Sequence, residues 1–205
     1  MGGRDNPISI RSKRKITDSL LSLMREYPFS KISIKDIVER AGLTRQTFYH
    51  NFVSKEDVLF QREQELFEEF LRKAEENHIT DFNGIIYFYF RYWQRNIDFV
   101  RVLIDNNLVY IMEAQKPRYY EKIRDALLRK LKLSEMELEF CYAFCSGGIT
   151  NLLVSWVRGG MTVSAQEMAE LTVEMVDGSM FHTALAGQLD LSKVNPNTSE
   201  NEMES

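Results

Sequence analysis

The sequence predicts an all-α protein, and three observations carry that prediction. Hydroxyl residues followed three positions later by an acid recur at Ser33–Asp36, Ser54–Asp57, Ser134–Glu137 and Ser164–Glu167. That pattern satisfies open N–H groups at a helix start and sets negative charge there. Gly42 and the pair Gly159–Gly160 stand where helices would stop. The one stretch with strong strand propensity, "GIIYFYFRYW" (84–93), finds no partner strand elsewhere in the chain.

Taken in order, the punctuation and periodicity predict helices at 11–26, 33–41, 44–51, 54–77, 82–96, 97–106, 108–132, 134–158 and 164–187, about nine in all. Pro117 should kink or split the seventh, because proline lacks the N–H that a helix interior needs. The fifth is apolar on nearly every side and belongs in the middle of a bundle. After Leu191 the run "SKVNPNTSENEMES" is polar and aperiodic, as in a disordered tail. The expected organisation is a small head at 1–53, a larger body at 54–190 and a tail at 191–205.

The 205 residues are 44% hydrophobic, enough for a real core. The net charge of −4 hides an asymmetry. Residues 1–60 hold eleven Lys/Arg against seven Asp/Glu, a net of +4, and the remainder holds fifteen against twenty-three, a net of −8. Only the N-terminal end therefore suits an anionic polymer. No apolar run is read as long enough to span a bilayer, and the first twenty residues carry no secretion signal. Cys141 and Cys145 share a helical face, which argues against a disulfide framework and for a reducing, cytoplasmic location.

In the first three helices, Ile16, Leu20 and Leu23, then Ile34, Ile37 and Val38, then Leu43, Phe48 and Phe52 supply a small core. Gly42 permits a sharp turn, and Thr44 can cap the helix that follows. A helix, a turn containing glycine and a second short helix make the helix-turn-helix layout, in which the start of the second helix meets base edges in the major groove. Arg45 and Gln46 stand there, and their side chains can pair with guanine and adenine respectively. Tyr49 and His50 are placed for phosphate oxygens. Lys55, at the next helix start, and Ser33, capping the second helix, can meet phosphates as well. Thr44 and Thr47 complete the candidate DNA-binding set. A plain polar helical hairpin would show the same glycine and cap; the basic balance and the outward Arg-Gln pair favour DNA.

The stretch "ISIKDIVERAGLTRQTFYHNFVSKEDVLF" (32–60) resembles the DNA-binding domain of the TetR/AcrR family of bacterial transcriptional regulators. It carries Tyr49-x-x-Phe52 followed by Ser54-Lys55-Glu56-x-x-Leu59, and the likeness covers residues 11–60. The segment "FCSGGITNLLVSWVRGGMTVSAQEMAELTVEMV" (144–176) is similar to the C-terminal domain of Firmicutes-type members. The basic run Arg11–Lys15 is heavier than the motif needs and suits an extra backbone contact.

The resemblance implies a homodimer whose last two helices form a four-helix bundle with a second copy. Cys141, Cys145, Gly148, Leu152 and Trp156 fall on one face, and Ala169, Val173, Val176, Met180 and Ala184 on another. The interface set is Cys141, Cys145, Gly148, Leu152, Val173, Val176 and Met180. The resemblance also implies an effector pocket among the middle helices, with Tyr89, Trp93, Phe99, Tyr110, Met112, Tyr119 and Trp156 as candidates and a cavity of about 300 Å³ or more. Arg91, Arg95, Arg101 and Asn151 are the polar candidates.

No glycine-rich phosphate loop and no triad spacing point to catalysis. Cys141 and Cys145 with His182 are a weak metal or redox pattern, and two structural thiols fit better. The expectation is a transcriptional regulator, not an enzyme, needing no cofactor, metal or membrane. It would be a repressor released from inverted-repeat operator DNA by an unknown small-molecule effector. The alternative is a co-activator controlled by a protein partner, with no ligand pocket.

Overall fold

A computed structural model describes residues 7–121 and 133–177. The expectations for 122–132, Met180, His182, Ala184 and the tail 191–205 lie outside these residues. The described residues fold into α1 (Pro7–Met24), a 3-10 turn (Phe29–Lys31), α2 (Ile34–Ala41), α3 (Arg45–Asn51), α4 (Lys55–Glu76), α5 (Phe82–Arg95), α6 (Ile97–Asp105) and α7 (Tyr110–Ala114). A further helix, α8, covers 116–121, and α9 (Glu135–Arg158) and α10 (Ala165–Val176) follow. The aromatic stretch 84–93 is helical, and no strand occurs among the described residues.

The capping residues act as the sequence suggests. Ser33, Ser54, Ser134 and Ser164 each accept a hydrogen bond from the N–H three residues on. Gly42 ends α2 at φ 63°, a left-handed conformation in which a side chain would be strained. The helix predicted over 108–132 breaks at Gln115, and Pro117 stands in the first turn of α8, where a missing N–H costs nothing. The first helix already includes Pro7, ahead of the expected residue 11.

In the head, α1, α2 and α3 pack around Ile16, Leu20, Ile37 and Phe48, all fully buried. In the body, α5 is central: α10 lies along it, and Phe90 and Trp93 are buried between the layers. α4 joins the two, burying Val58 and Leu59 near the head and Leu66 and Phe70 in the body. A second link is made by Asn106, just past α6. Its Oδ1 accepts from the Phe29 N–H at 2.7 Å, and its Nδ2 donates to the Val102 carbonyl at 2.9 Å and the Met24 carbonyl at 3.4 Å.

Candidate DNA-reading surface and effector chamber

The turn after α2 and the cap on α3 decide what α3 offers to solvent. Thr44 Oγ1 accepts from the Thr47 N–H at 3.1 Å, starting the helix sharply. Phe48 and Phe52 turn inward at 0% and 3% exposure and hold α3 against the head. Arg45, Gln46, Tyr49 and His50 are left on the outside, and among the described residues no side-chain hydrogen bond or ion pair engages Arg45, Gln46 or His50. At the far end, Asn51 Nδ2 donates to the Thr47 carbonyl at 2.7 Å, and Ser9 Oγ donates to Asn51 Oδ1 at 2.6 Å. This ties the start of α1 to α3, and Arg11, Arg14 and Lys15 of α1 are exposed.

Four of the expected DNA contacts are already engaged within the protein. Ser33 Oγ donates to Asp36 Oδ2 at 2.7 Å inside its capping box. Thr44 shares its hydroxyl with Thr47 at 2.9 Å. Lys55 is half-buried: its ammonium donates to the Phe29 carbonyl at 2.6 Å and the Ile32 carbonyl at 2.9 Å, and lies 4.1 Å from the centre of the Phe29 ring. Lys55 thus clamps the 3-10 turn to the start of α4, with one of its three N–H groups left over.

In the body, α4, α5, α7, α8 and α9 enclose a chamber of about 190 Å³. Of the candidate pocket residues, Tyr89, Trp93, Met112 and Tyr119 line it. Phe99, Tyr110 and Trp156 do not. Phe99 is buried in the general core, and Tyr110 is 49% exposed with its edge to Phe60. Trp156 packs edge-on to Phe90 and donates from Nε1 to the Val163 carbonyl at 2.9 Å, so it belongs neither to the chamber nor to an exposed face. The polar candidates also lie elsewhere: Arg91 donates to the Tyr87 hydroxyl, Arg95 lines an outer cleft, Arg101 reaches Met161 Sδ, and Asn151 donates to the Gly147 carbonyl of its own helix. The chamber is smaller than the expected 300 Å³, because ring stacking such as Phe67 on Tyr119, with centroids 3.6 Å apart, fills part of it.

Sequence reasoning missed the polar groups of the chamber. Glu63 is 2% exposed and accepts from the Tyr119 hydroxyl. Burial pushes its pKa up to about 7. The signal was its register, because Leu59, Glu63, Leu66 and Phe70 follow one another at core spacing along α4. Lys116, also on the chamber wall, gives its ammonium to Glu113. Trp93 Nε1 is buried without a hydrogen-bond partner among the described residues.

The outer surface of α9 is apolar. Met136, Phe140 and Phe144 are 65–69% exposed at four-residue intervals, and Gly148 continues the row with nothing within 4 Å of where a Cβ would stand. Of the expected interface residues, Cys141, Gly148 and Val176 are exposed and Cys145, Leu152 and Val173 are half-buried. Trp156 and Ala169, placed on the same faces by spacing, are buried in this protomer instead. Burial raises the Cys145 thiol to about 11, and no group of three or more metal-binding side chains occurs among the described residues. By length and composition alone α9 could cross a membrane, a test that the core helix of a soluble protein also passes.

A helix-turn-helix head with an unpartnered Arg-Gln pair, coupled through one long helix to a body with a buried chamber, defines a DNA-binding transcriptional regulator. Residues 16–61 match the family described as bacterial regulatory proteins, tetR family, and residues 80–178 match a transcriptional regulator C-terminal region of the same family. The chain belongs to the TetR family. No curated protein sequence matches it. Among solved structures it is similar to the fatty acid degradation regulator FadR from Bacillus halodurans, with 15% identity, TM-score 0.62 and coverage of 85% of this chain and 96% of that one. FadR from Bacillus subtilis, solved in complex with stearoyl-CoA, gives 15% identity, TM-score 0.59 and coverage of 80% and 96%. The dihydroxyacetone kinase operon activator DhaS gives 20% identity, TM-score 0.54 and coverage of 83% and 97%. At these identities the likeness is one of fold.

Proposed function

We propose that this protein is a homodimeric repressor that leaves its operator when a small molecule occupies the body chamber. It acts on the chromosome and hence in the cytoplasm, and it performs no catalysis. The single observation that carries the reading is the division of labour along α4. The helix is clamped to the head by Lys55 and contributes Glu63, Phe67 and Phe70 to the chamber wall. A ligand that prefers one setting of α4 must shift the spacing of the two recognition helices in a dimer, and it can do so only by its differential affinity for the two settings.

In the dimer, the row Met136, Phe140, Phe144 and Gly148 pairs with its copy, a use that fits an exposed apolar stripe on a family of dimeric DNA-binding proteins. Arg45 and Gln46 read bases; Tyr49, His50 and the basic start of α1 hold phosphates; the remaining N–H of Lys55 is available to a phosphate. Ser33, Thr44 and Thr47 set the helix starts that aim these groups. Two-fold symmetry calls for an inverted-repeat operator.

Genomic footprinting with the purified chain, followed by a thermal-shift ligand screen, tests the proposal. Protected inverted repeats that lose protection in the presence of a stabilising ligand are expected. The co-activator reading gains from the small volume of the chamber, about 190 Å³. It predicts no stabilising small molecule and an operator occupied only with a protein partner present.

A further inference from the structure

Glu63 is the one acid in the chamber whose charge nothing balances. A side chain this deeply buried is almost never acidic unless paired. Its single hydrogen bond among the described residues comes from the neutral Tyr119 hydroxyl. The groups facing it can be taken element by element. α8 brings Tyr119 and Lys116, but the Lys116 ammonium is held by Glu113 of α7. α5 brings Tyr89 and Trp93; α9 brings Tyr142, Ser146 and Thr150, and the Tyr142 hydroxyl donates to the Lys116 carbonyl at 3.2 Å. None is a free cation.

The walls around this carboxyl are aromatic. Phe67 stacks on Tyr119, Phe70 meets Tyr89 edge-on at 6.0 Å, and Tyr89 meets Trp93 edge-on at 6.2 Å. Ring faces attract cations. The field inside is negative: burial first, then the charges of Glu63 and Glu113, push the hydroxyls of Tyr89 and Tyr142 up, the latter to about 12. One donor, Trp93 Nε1, also lacks an acceptor.

We propose that the chamber takes a small, mainly apolar amine, whose ammonium pairs with Glu63 beneath the rings of Phe67, Phe70 and Tyr89 and whose acceptor atom meets Trp93 Nε1. This rests on the chamber being the effector site. A cavity of about 150 Å³ holds benzene, so about 190 Å³ accommodates one ring with a short side chain. A carboxylate ligand would set a like charge against Glu63, which is unfavourable. The specificity therefore differs from that of the Bacillus subtilis FadR solved with stearoyl-CoA.

The test is calorimetric titration of the full chain at about pH 8 with three amines (tyramine, phenethylamine, benzylamine). The neutral and acidic counterparts of tyramine, tyrosol and para-hydroxyphenylacetate, are titrated in parallel. At least one amine should bind, and tyramine should bind at least about tenfold more tightly than tyrosol, since a desolvated ion pair and cation–π contact exceed that difference. Glu63→Gln should abolish the advantage; Tyr119→Phe should preserve it. Between about pH 8 and pH 6 the amine should lose about tenfold in affinity as Glu63, with its pKa raised to about 7, takes up a proton. The proposal is overturned if no amine binds, if tyrosol or the acid binds equally well, or if the advantage survives Glu63→Gln. Operator binding by fluorescence anisotropy separates the two readings. An amine that binds without releasing DNA leaves the ligand class standing and removes the effector role; a neutral or acidic compound that releases DNA does the reverse.

Discussion

In the head, Arg45, Gln46 and His50 stand in solvent with no partner among the described residues, around a core sealed by Phe48. In the body, Glu63, Tyr89 and Trp93 are turned inward around a cavity, and the exposed residues of α9 include the apolar row Met136, Phe140 and Phe144. The recognition helix sets its polar groups in water, and the chamber turns a few polar groups into the interior beside an exposed apolar row. Unpartnered polar groups outside cost nothing, because water serves them. The same groups inside are a standing penalty that a ligand can relieve. The head is thereby suited to reading and the body to sensing.

The largest expected effect inverts the apolar row of the body. Phe144→Glu places a charge on each side of a symmetric contact, and the two meet as like charges. Sedimentation at micromolar concentration should change from dimer to monomer, with circular dichroism unchanged because Phe144 is 69% exposed in the protomer. A variant that remains dimeric removes this row from the interface. Gly148→Leu should weaken the dimer by overpacking while the protomer tolerates it, since nothing lies within 4 Å of the added Cβ.

The next effect concerns the buried acid. A carboxyl whose pKa is raised on folding from 4.5 to about 7 holds its proton longer in the folded chain than in the unfolded one. The fold is unpenalised below the unfolded value, loses stability as pH rises through that window and carries the full cost above it. The size is about 3 kcal/mol at 1.36 kcal/mol per pKa unit. Denaturant titrations of the wild type and Glu63→Gln should diverge in that sense, with the variant the more stable at about pH 8. Equal stabilities across the range would mean that Glu63 is solvated or paired.

How far the sequence foretold the molecule follows the same division. The head was legible because a glycine turn, a cap and a surface pair are local features, and α3 appears where they place it. What the sequence could not show for Lys55 is that its ammonium also serves the carbonyls of Phe29 and Ile32, more than twenty residues upstream. The chamber was half legible. Periodicity can find an aromatic face, but it cannot distinguish Tyr89, beside a void, from Phe99, in solid core. Glu63 was hidden by the acidic run around it, although its core register was there to be read.

Arg45 and Lys55 sharpen the comparison within the head. Arg45→Ala should cost about 1–3 kcal/mol on the operator and relax one position per half-site, with little effect on random DNA. Lys55→Ala should lower the stability of the chain by about 1.5–3 kcal/mol, the range for hydrogen bonds to a charged group. Operator and random DNA should then weaken alike. If Arg45→Ala instead weakens both DNAs equally and flattens the salt dependence, it contacts phosphate, and base reading passes to Gln46.

The smallest expected effect tests whether α4 alone joins the two regions. Asn106 reaches from the end of α6 to the Phe29 N–H and the Met24 carbonyl of the head, and α6 packs on α5 and α9, which wall the chamber. Asn106→Ala removes those bonds and leaves half-buried backbone groups unpaired, a cost of about 1–2 kcal/mol. Its stability effect is ordinary; its effect on coupling is the informative one. If the body moves the head through both links, the variant should bind operator and ligand separately as before, yet show a smaller ligand-induced drop in operator affinity, because less of the binding energy is transmitted. The measurement is operator affinity with and without a saturating ligand, in wild type and variant. An unchanged ratio would mean that Asn106 carries none of the coupling. That would leave it to α4, with Lys55 at one end and Glu63 on the chamber wall, and to the remaining contacts of α1 and the adjoining Arg25 with α6, such as the Arg25–Asp98 ion pair.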